Sequence, residues 1–126
     1  FKNYENNILL NLKKHKINFI CLAGYMKIIP GNLIKNYSKK IINIHPSLLP
    51  AFKGLNAQKQ ALDYGVKVAG CSVHIVNEEM DGGKILAQCS VDVLENDTED
   101  SLSKRILDKE HQVYPQTIQT FLKNLV

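Results

Sequence analysis

Asn43 and His45 stand two residues apart at the end of a short apolar run, 41–44, and Pro46 and Ser47 follow directly. Strand side chains alternate between faces, so these two should project together from one side of a strand. Pro46 has no N–H to give a ladder, so regular pairing should stop there. In open α/β sheets ligands bind beyond the carboxyl ends of the strands. The run therefore sets an amide donor beside an imidazole at the position where such sheets do chemistry; otherwise it is a strand end whose polar groups cap a loop. A second polar cluster is Met80-Asp81-Gly82-Gly83. Its glycines suit close approach to a ligand or simply a turn with positive φ. Together the clusters supply a donor, an imidazole and a carboxylate. That set fits acyl transfer, which needs a proton acceptor, a group to orient it and a donor for the developing oxyanion. Ser47 lacks a nucleophile-elbow pattern, so direct attack by a substrate amine is the simpler route. Of the other histidines, His15 lies among lysines, His74 sits on the polar side of a strand facing the same cleft, and His111 follows Glu110. No histidine pair has metal-ligand spacing, and no metal is expected.

The elements that must position these groups follow from hydrophobic periodicity. Residues 4–15 predict a helix with Ile8, Leu9 and Leu12 on its apolar stripe, and 17–23 a buried strand. Pro30 opens a short helix to about residue 37. Residues 41–44 form the next strand, 46–54 a loop punctuated by Pro and Gly, and 55–64 a helix ending at Gly65. Residues 68–77 place Cys71, Val73 and Ile75 on one face and Ser72, His74 and Val76 on the other. Residues 84–93 alternate as well. A long helix covers 98–124, capped by Asp97 or Thr98, with Leu102, Ile106, Val113 and Phe121 inward; Pro115 should kink or split it. This order predicts an α/β fold.

The chain has 126 residues, 44% hydrophobic and 22% charged, with a net charge of +4. That is enough for one domain with a core. The lysines form no long stripe with interleaved aromatics, which argues against nucleic acid, and a mild positive balance suits anionic small substrates. No apolar run approaches the roughly 20 residues of a membrane helix, and no secretory signal is visible. Cys21, Cys71 and Cys89 are odd in number and widely spaced. They read as buried small hydrophobes in a reducing cytoplasm rather than as a disulfide or zinc framework. The chain opens on Phe1 directly into a helical pattern, so a natural amino terminus is expected to be missing.

Five segments in order resemble the glycinamide ribonucleotide formyltransferase family. They are Leu22-Ala23-Gly24-Tyr25-Met26-Lys27-Ile28-Ile29, the run from Asn43 through Pro50 to Gly54, Gly70-Cys71-Ser72-Val73-His74, Met80-Asp81-Gly82-Gly83, and Glu110-His111-Gln112-Val113-Tyr114-Pro115. The resemblance implies a Rossmann-like formyltransferase fold: a mostly parallel sheet with an antiparallel strand and a long carboxyl-terminal helix. It makes residues 1–126 a single domain covering the carboxyl-terminal two-thirds of the usual chain. It also implies transfer of the formyl group of 10-formyltetrahydrofolate, as co-substrate, to the amine of glycinamide ribonucleotide in purine biosynthesis. In that pattern Asn43, His45 and Asp81 match the catalytic trio. Met26, Lys27, Ile28 and Ile29, with Val76, Asn77, Glu78, Glu79 and Met80, match walls of the folate pocket. Glu110 matches a position near the ribonucleotide, and Ser72 and His74 line the cleft in support of Asp81. A homodimer is possible. Two departures stand out: the Gly-Ser-rich phosphate loop of the family is not present in the chain, and Asn56 and Gln58 stand where many relatives carry His. The nearest alternatives are a formyltetrahydrofolate hydrolase, which usually shows His-His-Ser-Phe where this chain has His45-Pro46-Ser47-Leu48, and methionyl-tRNA formyltransferase, with an Arg-rich loop where this chain has Ala51-Phe52-Lys53. A folate-binding fragment without turnover is another. A nucleotide-binding Rossmann module would need a G-x-G-x-x-G that the chain lacks.

Overall fold

β-branched and apolar residues cluster in four short runs, and each becomes a strand of one sheet. The computed structural model describes residues 2–25 and 29–125. Along the chain lie α1 (Lys2–Lys14), β1 (Ile20–Leu22), α2 (Gly31–Asn36), β2 (Ile41–His45), α3 (Ala57–Tyr64), β3 (Val68–Ile75), β4 (Ile85–Asp92) and α4 (Glu99–Leu125). Their spatial order in the sheet is β1-β2-β3-β4. β1 and β2 run parallel, with Ile20 opposite Ile41 and Leu22 opposite Asn43. β3 runs antiparallel to β2, and β4 antiparallel to β3.

The α/β class is as expected, but the expected mostly parallel sheet is corrected to a mixed one. Among the described strands only β1–β2 is parallel. Alternation of helix and strand reports element types and not direction. The 46–54 loop stays at the carboxyl end of β2, tied there through Ser47 and Leu49 to Ser72. The chain therefore enters β3 from the end where it left β2.

One face of the sheet packs on α4. Ile42, Ile44, Ala69, Cys71, Val73 and Val91 bury against Leu102 and Ile106. Full burial of such a side chain stabilises by roughly 1.5–3 kcal/mol. A second cluster joins Leu33, Tyr37 and Ile41 to Ile8, Leu9 and Leu12 of α1, together with Ile29 and Val76. The cysteines divide: Cys71 is buried and burial pushes its thiol up to about 12, Cys89 is half-buried, and Cys21 is exposed. The expectation that all three are buried fails at Cys21, because β1 is an outer strand of the described sheet and alternation turns Cys21 away from its apolar neighbours Ile20 and Leu22.

α3 ends as its sequence predicts, with Gly65 at φ 88° accepting the left-handed turn. α4 runs unbroken through Pro115, so the expected split does not occur. His111, whose carbonyl loses its donor to Pro115, is exposed and that oxygen can turn to water. Tyr114 Oη donates to the Leu22 carbonyl at 2.6 Å and lies 3.3 Å from that of Ile42, fastening α4 to both parallel strands. At the start of α4 the Ser101 N–H donates to Thr98 Oγ1 and the Thr98 N–H to Ser101 Oγ, a reciprocal cap.

Asp97, just before that cap, takes two 2.8 Å hydrogen bonds from the Arg105 guanidinium. Arg105 and the Leu94 N–H hold its carboxyl well below the usual carboxylate range. A lowered folded-state value means the contribution to stability is complete above the ordinary Asp value of about 4 and is lost as pH falls below it. Arg105→Met should therefore flatten the fall of the thermal midpoint between about pH 4 and pH 2 relative to the parent chain. Parallel curves in that window would remove Asp97 from the acid response.

Candidate active site

Asn43 and His45 lie on the same side of β2, and the antiparallel register sets them opposite His74 and Ser72 of β3. Four polar side chains thus share one patch of a largely buried sheet. His45, Ser72 and His74 are 6%, 0% and 2% exposed. Buried polar groups must be paired or they cost about 1–3 kcal/mol each. The two loops at this end of the sheet supply the partners.

The first loop follows β2. His45 Nε2 lies 2.9 Å from the Phe52 carbonyl, which can only accept, so Nε2 carries a hydrogen. Ser72 Oγ donates to the Ser47 carbonyl at 2.7 Å and accepts from the Leu49 N–H at 2.9 Å and from Gln88 Nε2 at 3.0 Å. Gln88 also donates to the Leu49 carbonyl. Ser72 is therefore an anchor of the 47–49 segment, which contains half of the cis Leu49–Pro50 bond. The expectation that it supports Asp81 is corrected: its hydroxyl is committed to the first loop. Ser47 is buried and its own hydroxyl donates to the Ala51 carbonyl, so it is not poised as a nucleophile.

The second loop joins β3 to β4 and carries Asp81. One carboxylate oxygen accepts the Gly54 N–H at 2.7 Å; the other lies 3.5 Å from His45 Nδ1, within ion-pair reach but longer than a good hydrogen bond. His45 is thus flanked by an acceptor at each ring nitrogen, an arrangement met in full by the imidazolium. The sequence reading missed the Phe52 carbonyl and the Gly54 N–H, because main-chain groups have no signature by residue type. Asn77 Oδ1 accepts the Glu79 N–H in an Asx turn, and the Gly82 N–H donates to the Glu79 carbonyl. Asn77, Glu78, Glu79 and Met80 are exposed, whereas Val76 is tucked into the cluster that also holds Ile29. Met26, Lys27 and Ile28 lie outside the described residues.

Glu110 stands elsewhere. It lines a cleft of about 410 Å³ with Ala23, Gly24, Ile44, Leu107, His111 and Tyr114. Ile44 is the residue between Asn43 and His45, and alternation turns it to the opposite face. The Glu110 cleft therefore opens across β2 from the trio. Burial raises the Glu110 carboxyl above the ordinary range.

Gly83 is the residue on which the second loop closes. Its φ is 92°, and a Cβ there would meet the Ile75 carbonyl oxygen at 1.8 Å, so a side chain collides with backbone and not with a flexible neighbour. Gly83→Ala should lower the thermal midpoint and release Asp81 from His45. Gly31→Ala, in α2 with open space around it, should leave the midpoint unchanged or raise it slightly. Equal midpoints for both variants would show that the loop does not need the glycine.

A model of the formyl transferase family matches residues 2–118. The phosphoribosylglycinamide formyltransferase of Bacillus subtilis is 47% identical over 96% of this chain and 65% of its own length. The crystal structure of glycinamide ribonucleotide transformylase 1 from Symbiobacterium toebii superposes with a TM-score of 0.94 at 46% identity, over 96% of this chain and 57% of that one. A formyltetrahydrofolate deformylase from Pseudomonas syringae superposes at 0.89 with 33% identity, over 94% and 40%. The chain thus spans between 40% and 65% of the length of these relatives. The match over residues 2–118 takes in the Asn43–His45 strand, both loops and most of α4, and on it the chain belongs to the formyl transferase family.

Proposed function

We propose that this chain carries the catalytic trio and the folate side of a glycinamide ribonucleotide formyltransferase, moving a formyl group from 10-formyltetrahydrofolate to the substrate amine. The observation that carries the reading is the convergence of Asn43, His45 and Asp81 at one end of the sheet, with His45 Nδ1 and the Asp81 carboxylate 3.5 Å apart. The likeness to proteins named for that reaction is greater than the likeness to the deformylase.

The chemistry follows from the groups. The amine nitrogen bonds to the formyl carbon, whose oxygen becomes anionic. The bond from that carbon to the folate nitrogen then breaks, and the proton released by the amine passes to the departing nitrogen. Asn43 has two N–H bonds; one points to His74, and the other is available for the oxyanion. The Nε2–H of His45, resting on the neutral Phe52 carbonyl, redirects its hydrogen bond to the oxyanion as charge develops, because an anionic acceptor binds a donor more strongly than a neutral one. Asp81 balances the imidazolium and relays the proton. Donors of this type contribute roughly 3–4 kcal/mol each to the transition state. Ile29, Val76 and the exposed run Asn77 to Met80, with Met26 to Ile28, border the folate, and Glu110 serves the ribonucleotide. Both substrates are small molecules. We place the reaction in the cytoplasm, in keeping with three unpaired cysteines; no described helix is long and apolar enough to cross a membrane. A homodimer remains part of this reading.

The test follows release of deformylated folate from 10-formyl folate, with and without glycinamide ribonucleotide, by the chain extended to the length of its relatives. Release that depends on the ribonucleotide is expected. Release without it would replace this reading by the hydrolase, and no release in either case by methionyl-tRNA as acceptor or by folate binding without turnover. Asn43→Ala and His45→Ala should each cut kcat by about a hundredfold or more. Near-normal turnover in both would remove the trio from the mechanism.

A further inference from the structure

His74 is 2% exposed and sits opposite Asn43 in the β2–β3 ladder, and the β3–β4 ladder has its register irregularity between Val73 and His74. Bulges of this kind re-aim a side chain next to a site. Its two ring nitrogens meet partners of opposite character. Nδ1 lies 2.8 Å from the Gly82 carbonyl oxygen, and Nε2 lies 3.3 Å from Asn43 Nδ2. A carbonyl only accepts, so Nδ1 carries the hydrogen. An amide nitrogen only donates, so Nε2 must present its lone pair. Two independent contacts therefore require the same species: a neutral ring with its hydrogen on Nδ1.

We infer that His74 is a positioning residue, a neutral Nδ1–H imidazole that fixes which way the Asn43 amide faces and ties the Asp81-bearing loop to the same strand end. If the amide turned over, its oxygen would face the bare Nε2 and repel it. With the amide held, the second N–H of Asn43 has a fixed direction. The other end of the ring grips the carbonyl of Gly82, the residue after Asp81, so the donor and the carboxylate are set by one rigid group. His74 touches no reacting atom; it acts through Asn43. This inference rests on the formyl-transfer reading for its kinetic consequence, but not for the state of the ring.

Two substitutions separate the two grips. Asn at position 74 offers a donor near the place of Nδ1 and no acceptor toward Asn43. Gln offers an acceptor near the place of Nε2. His74→Asn should lower kcat by about ten- to a hundredfold with KM within about twofold, while His74→Gln should restore most of the loss. In an Asn43→Ala background, His74→Asn should cost nothing further, because a residue that works through a partner is silent without it. Equal losses in the Asn and Gln variants, or an additive loss in the double variant, would overturn the inference. Nitrogen-15 NMR of the chain reads the ring without any assay. Nδ1 should show a protonated-type shift and Nε2 a bare-type shift, and one Asn43 side-chain amide signal should move in His74→Asn and return in His74→Gln. A hydrogen on Nε2, or an Asn43 signal indifferent to position 74, would overturn the inference even if the variants fold poorly. A parent protein that lacks formyl transfer but shows these shifts would remove the functional reading and leave the state of the ring standing.

Discussion

The pairing of β2 with β3 is the constraint on which the rest of the site depends. Its register sets Asn43 against His74 and His45 against Ser72, and it does so inside a sheet covered on its other face by α4. Polar groups in such a place are tolerated only when each finds a partner. The loop from Pro46 to Gly54 and the loop from Val76 to Lys84 can be understood as the means of meeting that demand. Ser72 takes the first loop by Ser47 and Leu49, and His74 takes the second by Gly82. Asp81 then closes the circle by accepting the Gly54 N–H, so each loop also holds the other. No described buried side-chain nitrogen or oxygen is left without a partner.

The opposite face has a simpler logic. Leu102 and Ile106 of α4 lie against Ile42, Ile44, Cys71 and Val73, and apolar contact needs no direction to be favourable. What fixes the helix along the strands is Tyr114, whose hydroxyl reaches the carbonyls of Leu22 and Ile42. Burial, with the hydrogen bond to Leu22 opposing it, leaves that phenol harder to ionise than in water. The ends of β1 and β2 are thereby held from below, at the level where Asn43 follows Ile42. A site on strands supported in this way is positioned more closely than a site on loops alone.

The sequence was legible where a rule of residue type applies. The alternation of Asn43 and His45, the cap at Thr98 and the left-handed Gly65 all follow from side-chain identity. Three kinds of feature were not legible. Strand direction depends on where a loop is tethered, and the tether runs through Ser72, whose hydroxyl could have bonded almost anything nearby. The partners of His45 and Asp81 include main-chain groups of Phe52 and Gly54, which any residue could provide. Pro115 was expected to kink or split α4, but α4 runs on through it as one helix, held by packing on both sides of the proline.

His45 and His74 show how one residue type can be given two characters by its hydrogen-bond partners. They differ only in what surrounds their rings. His45 meets a carbonyl and a carboxylate, both acceptors, and is complete when both nitrogens carry hydrogen. His74 meets a carbonyl and an amide nitrogen, an acceptor and a donor, and is complete when one does. The difference arises because the loop after β2 turns a carbonyl toward position 45 while the ladder itself turns an amide toward position 74. How many hydrogens each ring carries is thus set by the polarity of its hydrogen-bond partners, and the strand pairing decides which partners it meets.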